Sequence, residues 1–169
     1  TLNFFEIPEI IVPDPLVACN EEGDEWASFD LTTLIDEITG GTGVGVHFYE
    51  DQNGITEILN ITNFITETTT IYARIEAACN SEMVEVDLIV ENPPIAGEDA
   101  FTNLCNDDSG NADFFTLINT GNTSGIWTDD NASGADISDP ANVSFFGITP
   151  GVYQFTYTVL SNGVCPDAY

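Results

Sequence analysis

"TIYARIEAACNSEMVEVDLIV", residues 70–90, decides the fold. In its first half Ile71, Ala73 and Ile75 alternate with Tyr72, Arg74 and Glu76. In its second half Val84, Val86, Leu88 and Val90 alternate with Glu85 and Asp87. A strand turns successive side chains to opposite faces, so this period of two predicts half-buried β-strands with one apolar and one wet face. The same pattern recurs on both sides. "VGVHFYE" (44–50) places Val44, Val46 and Phe48 inward, with His47 read as a packed strand residue. "GVYQFTYTVL" (151–160) alternates Tyr153, Phe155, Tyr157 and Val159 with Gln154, Thr156 and Thr158.

Turn residues separate these runs: "TGGTG" (39–43), "DQNG" (51–54), "TPG" (149–151) and "SNG" (161–163). One segment departs from strand periodicity. "FDLTTLIDEI" (29–38) spaces Leu31, Leu34, Ile35 and Ile38 as one face of a helical turn, after Asp30 as cap. Short strands with regular turns predict an all-β protein of tandem Ig-like antiparallel β-sandwiches.

The cysteines give the period. Cys19 and Cys79 are 60 residues apart, as are Cys105 and Cys165, and the second pair lies 86 residues after the first. "CNEEGDEWASF" (19–29) is echoed by "CNDDSGNADFF" (105–115), and "FDL" (29–31) aligns without a gap on "FTL" (115–117). The chain is therefore read as repeats of about 86 residues. Four cysteines allow three connectivities. The economical one is a disulfide in each repeat, Cys19–Cys79 and Cys105–Cys165, each closing a loop worth roughly 4 kcal/mol of chain entropy. Disulfides place the protein in an oxidising compartment outside the cytoplasm. The alternative is four free, buried thiols. Zinc lacks a CxxC pair to bind.

The phase of the repeat assigns residues 1–12 to the last strand and linker of a preceding repeat, because Leu2 aligns with Leu88 and Phe4 with Val90. Residues 13–92 form repeat 1, and 93–169 form repeat 2 without its final strand. "ENPPIAGED" (91–99) joins them, its prolines stiffening the connection. Alternatively, residues 1–8 act as a donor strand that completes a neighbouring chain, as in a pilus subunit.

Charge narrows the function. Against 29 acidic residues stand one Arg and no Lys, for a net charge of −28. Nucleic acid and anionic membrane surfaces repel such a chain. At 43% hydrophobic and 11% aromatic residues, it still fills a core. Catalysis has little to draw on, with one histidine and no GxSxG elbow, so no enzyme activity is expected. Clustered oxygen donors raise calcium, a hard cation that takes six to eight oxygen ligands. The repeated candidates are Asn20, Glu22, Asp24 and Asp30, then Asn106, Asp108, Asn111 and Asp113. None completes an EF-hand loop, and a solvated acidic turn explains the same residues. The aromatics Trp26, Tyr49 and Trp127 raise a third reading, a carbohydrate-binding module.

"CNEEGDEWASFDLTTLIDEITGG", "VHFYED" and "TIYARIEAACNSEMVEVDLIV" resemble repeats of the very large surface adhesins of Bacteroidota, including gliding-motility adhesins. "GIWTDDNASGADISDPANVSFFGITPGVYQFTYTV" resembles a companion repeat in the same proteins. The resemblance implies export by the type IX secretion system, a cell-surface location, and a stalk or filament role in adhesion or gliding. It implies neighbouring repeats as partners, with polysaccharide or other surfaces at the adhesive end.

Overall fold

The computed structural model describes residues 10–21, 23–76, 81–106 and 111–169. The chain divides into two compact units, Thr1–Asn92 and Pro93–Tyr169. The donor-strand reading of residues 1–8 lies outside the described residues.

In the first unit a four-stranded sheet has the order β1 (Leu16–Cys19), β6 (Ser81–Glu91), β5 (Thr69–Glu76) and β3 (Gly45–Tyr49). A second, two-stranded sheet pairs β2 (Ala27–Phe29) with β4 (Phe64–Thr66). Ile71, Ala73 and Ile75 of β5 are buried, as are Val84, Val86 and Leu88 of β6, while Glu85 and Asp87 face water. These side chains meet Ala27 and Phe29 of the other sheet in one apolar cluster. The result is an all-β sandwich with one short helix.

Two expectations need adjustment. The large sheet is mixed, because β1 runs parallel to β6, with Leu16 opposite Leu88 and Cys19 opposite Glu91. The long chain between β1 and β6 permits the crossover that a parallel pair requires. His47 is not packed: alternation that buries Phe48 turns His47 outward on β3, where its Nδ1 lies 2.7 Å from Glu57 Oε1.

Residues 29–38 fold as read. Asp30 accepts from the Thr32 N–H at 3.1 Å and starts a 3-10 turn, Leu31–Thr33. The turn runs into α1 (Leu34–Thr39), which buries Leu34 and Ile38 and stops at Gly40 in the left-handed region, φ 61°. A carboxylate at this position satisfies an N–H that helix geometry leaves without a partner.

The second unit holds one antiparallel pair among the described residues, β7 (Ile126–Asp129) with β8 (Phe155–Thr158). The strand expected over 151–160 is therefore shorter, although Tyr157 and Val159 are buried as its alternation requires. Aromatic rings fill the interior. Phe114 meets Trp127 and Phe155 edge-on, each at 5.0 Å between centroids, and Trp127 lies 4.8 Å from Tyr157. The Tyr157 hydroxyl donates to Asn122 O at 2.6 Å and accepts from Gly125 N–H at 2.7 Å. A Cβ on Gly125 would stand 2.5 Å from the Tyr157 ring, so this contact requires glycine.

The two units share details that their aligned sequences conceal. Asp113 accepts from Phe115 N–H at 3.0 Å and caps a 3-10 turn, Phe114–Leu117, as Asp30 caps Leu31–Thr33. Thr116 Oγ1 donates to Asp113 O, and Thr33 Oγ1 donates to Asp30 O in the same way. "DLTTL" (30–34) thus corresponds to "DFFTL" (113–117), an offset of 83 residues. The gapless match of "FDL" to "FTL" is corrected accordingly: the loop after the first cysteine is three residues shorter in the second unit.

Candidate functional site

Cys19 ends β1, and the chain turns sharply just beyond it. Asn20 N–H donates to Glu91 O at 2.8 Å, extending the β1–β6 ladder. The Asn20 side chain is fully buried. Its Nδ2 donates to Asp24 O and, at 3.0 Å, to Asn92 Oδ1, while its Oδ1 accepts from Gly23 N–H at 3.0 Å. Gly23 sits at φ 76°, a region that glycine enters without steric cost. This asparagine therefore ties the acidic loop to the end of β6.

The other described candidates of the two acidic loops make local hydrogen bonds. Asp24 Oδ1 accepts from Trp26 N–H at 2.9 Å, and Asp30 and Asp113 are caps. Asn106 Nδ2 donates to Ile148 O at 3.0 Å, and Asn111 Nδ2 to Asn142 Oδ1 at 2.7 Å. Glu22 and Asp108 lie outside the described residues. Among the described residues no group of three or more His, Cys, Asp or Glu side chains is placed to hold a metal.

Two further loops carry a carboxylate turned onto its own backbone. Asp51 accepts from Thr56 N–H at 2.7 Å and from Asn53 N–H at 3.0 Å. Asp129 accepts from the Ser133 N–H and hydroxyl, both at 2.7 Å, and from Asn131 N–H at 3.3 Å. Both are held below the ordinary carboxylate value, Asp51 chiefly by the Thr56 N–H and Asp129 chiefly by the Ser133 hydroxyl. Each loop follows the strand at the sheet edge of its unit, β3 or β7. The shared "D-x-N" (51–53, 129–131) is the sequence signal common to both loops.

The rings proposed for carbohydrate do not share a common exposure. Trp26 is half exposed, whereas Tyr49 is buried with the Arg74 guanidinium 4.5 Å over its ring. Trp127 packs into the aromatic interior described above.

The cysteines are where the structure departs most from expectation. The disulfide present joins Cys19 to Cys165. Cys105 is a free, exposed thiol. The pairing Cys19–Cys79 with Cys105–Cys165 is thereby corrected; Cys79 itself lies outside the described residues. Cys165 is buried in a hairpin loop whose base is closed by the reciprocal Val159–Ala168 hydrogen bonds, 2.9 and 3.0 Å. Ser161 N–H donates to Asp167 Oδ1 at 2.7 Å inside that loop.

Residues 15–94 match the family model of the Flavobacterium inter-domain disulphide bond domain, just under half of the 169-residue chain. No curated protein and no solved structure matches the chain. The matched stretch holds β1 to β6 and contains Cys19, whereas Cys165 lies beyond it. The match fits a repeat of a Bacteroidota extracellular protein.

Proposed function

We propose that this segment is a load-bearing, non-catalytic piece of a long extracellular stalk or filament, serving surface adhesion or gliding. The single observation carrying the reading is the Cys19–Cys165 bond. Pulled along the chain, force enters at Cys19 and leaves at Cys165 through the disulfide, so the residues between bear none of it. The sandwich core, the proline linker and the aromatic core all lie inside that loop. Closing so long a loop also removes about 5 kcal/mol of entropy from the unfolded chain. A net charge of −28 suits an exposed rod by keeping parallel copies apart, and the single Arg74 denies trypsin-like proteases their sites. His47, the one histidine, is taken up by Glu57 at the surface.

Single-molecule pulling on the ends of the chain tests this. Oxidised protein should show no unfolding step from residues 19–165. Reduced protein should release about 500 Å of contour length, at roughly 3.4 Å for each of the freed residues. A force–extension curve unchanged by reduction would end the mechanical reading.

A further inference from the structure

Strand β8 spends one edge on β7 and leaves most of the other open. Asp130 N–H donates to Gln154 O at 3.0 Å, and Gln154 N–H donates to Asn131 Oδ1 at 2.6 Å, so the Gln154 backbone faces the β7 side. Backbone groups alternate in direction along a strand. Those of Thr156 and Thr158 therefore also face β7, and those of Phe155, Tyr157 and Val159 face the opposite edge. On that edge Val159 N–H donates to Ala168 O at 2.9 Å, and Ala168 N–H donates to Val159 O at 3.0 Å. Among the described residues no strand continues this pairing opposite Tyr157 or Phe155.

The first unit has the corresponding edge filled. Strand β5 lies between β3 and β6, with Ile75 opposite Glu82, Ala73 opposite Val84 and Ile71 opposite Val86. Glu82 and Ala168 each stand three residues after a cysteine, Cys79 or Cys165. Their partners Ile75 and Val159 each close an apolar alternation and are buried. This register puts Tyr157 in the place of Ala73 and Phe155 in the place of Ile71. Burial differs as the open edge requires. Ile71, with Val86 alongside, is 1% exposed, whereas Phe155 is only half-buried despite its contacts with Phe114 and Phe145. Tyr169, which the register sets opposite Thr158 on the wet face, is exposed.

We infer that the open edge of β8 takes an antiparallel strand of the β6 kind, in line with Ala168 and Tyr169, with apolar side chains opposite Tyr157 and Phe155. The Val159–Ala168 pair already sets its direction and register, which a strand from elsewhere has to find anew. Such a strand satisfies the edge-facing backbone groups of Phe155 and Tyr157 and covers the Phe155 ring, as β6 covers Ile71.

The test adds Val-Glu-Val-Asp-Leu-Ile-Val-Glu, the sequence of residues 84–91, to the whole chain after Tyr169. Hydrogen exchange is then followed amide by amide by NMR. In the chain without the addition, the Thr156 and Thr158 amides should exchange slowly and those of Phe155 and Tyr157 fast. With it, Phe155 and Tyr157 should slow to the rates of Thr156 and Thr158. A second addition with one serine before the first valine turns every side chain to the other face and should leave Phe155 and Tyr157 fast. Slow Thr156 and Thr158 amides in each protein verify that the β7–β8 pair is intact. Slow exchange at Phe155 and Tyr157 without any addition would overturn the inference, because the edge would then be taken. Fast exchange with the in-register addition would overturn it as well. So would equal slowing by the shifted addition, or by the same residues supplied as a free peptide.

Discussion

Asp30 and Asp113 drew attention as oxygen donors in acidic loops, and both prove to be caps. Replacing a capping aspartate with alanine costs typically about 1 kcal/mol. Asp30→Ala and Asp113→Ala should each lower stability by about that amount in urea unfolding, in their own units. Asp51 and Asp129 give a pH dependence. Their folded values lie below the ordinary 3.8, so their ionised forms favour the folded state above that pH. That contribution fades as pH falls through the depressed folded values. The melting midpoint should therefore drop on acidification below about pH 4, and less steeply in the Asp51→Asn, Asp129→Asn double variant. Asp30 was legible in the sequence because a cap needs only its own turn. Asn20 was not, because its role depends on Asn92 arriving from the far end of β6, 72 positions away.

Among the elements, β6 carries the most. It is the central partner of both β1 and β5, and Val86 and Leu88 are fully buried. Leu88→Ala leaves a cavity between the sheets and should cost about 2–5 kcal/mol, read by chemical denaturation, whereas Asp87→Ala on the wet face should cost far less. Strands β5 and β6 were legible because burial on one face writes a period of two into the sequence. The parallel pairing of β1 left no such mark. Leu16–Cys19 is half buried throughout, and alternation says which face is apolar but not which neighbour lies alongside. The second unit was overread for a related reason. Its apolar residues are mostly aromatics, gathered around Phe114 by ring contacts rather than spread along paired strands.

For the whole molecule, equal spacings of 60 residues made local pairing the economical choice, yet the bond spans positions 19 to 165. Spacing records where cysteines recur, not which recurrence meets which. The three-residue contraction before Asp113 shows that the two equal intervals also hide compensating changes in loop length. A disulfide confined to each repeat would protect the repeats and leave the connector between them to stretch. The Cys19–Cys165 bond places the connector inside the protected loop, and the proposed mechanical role depends on that difference. Alkylation of free thiols in the oxidised, denatured chain, followed by unreduced digestion at acidic residues and mass spectrometry, tests it most directly. The account predicts one bridged pair of peptides holding Cys19 and Cys165, with Cys105 carrying the alkyl label. Bridged peptides joining Cys19 to Cys79, or Cys105 to Cys165, would contradict it.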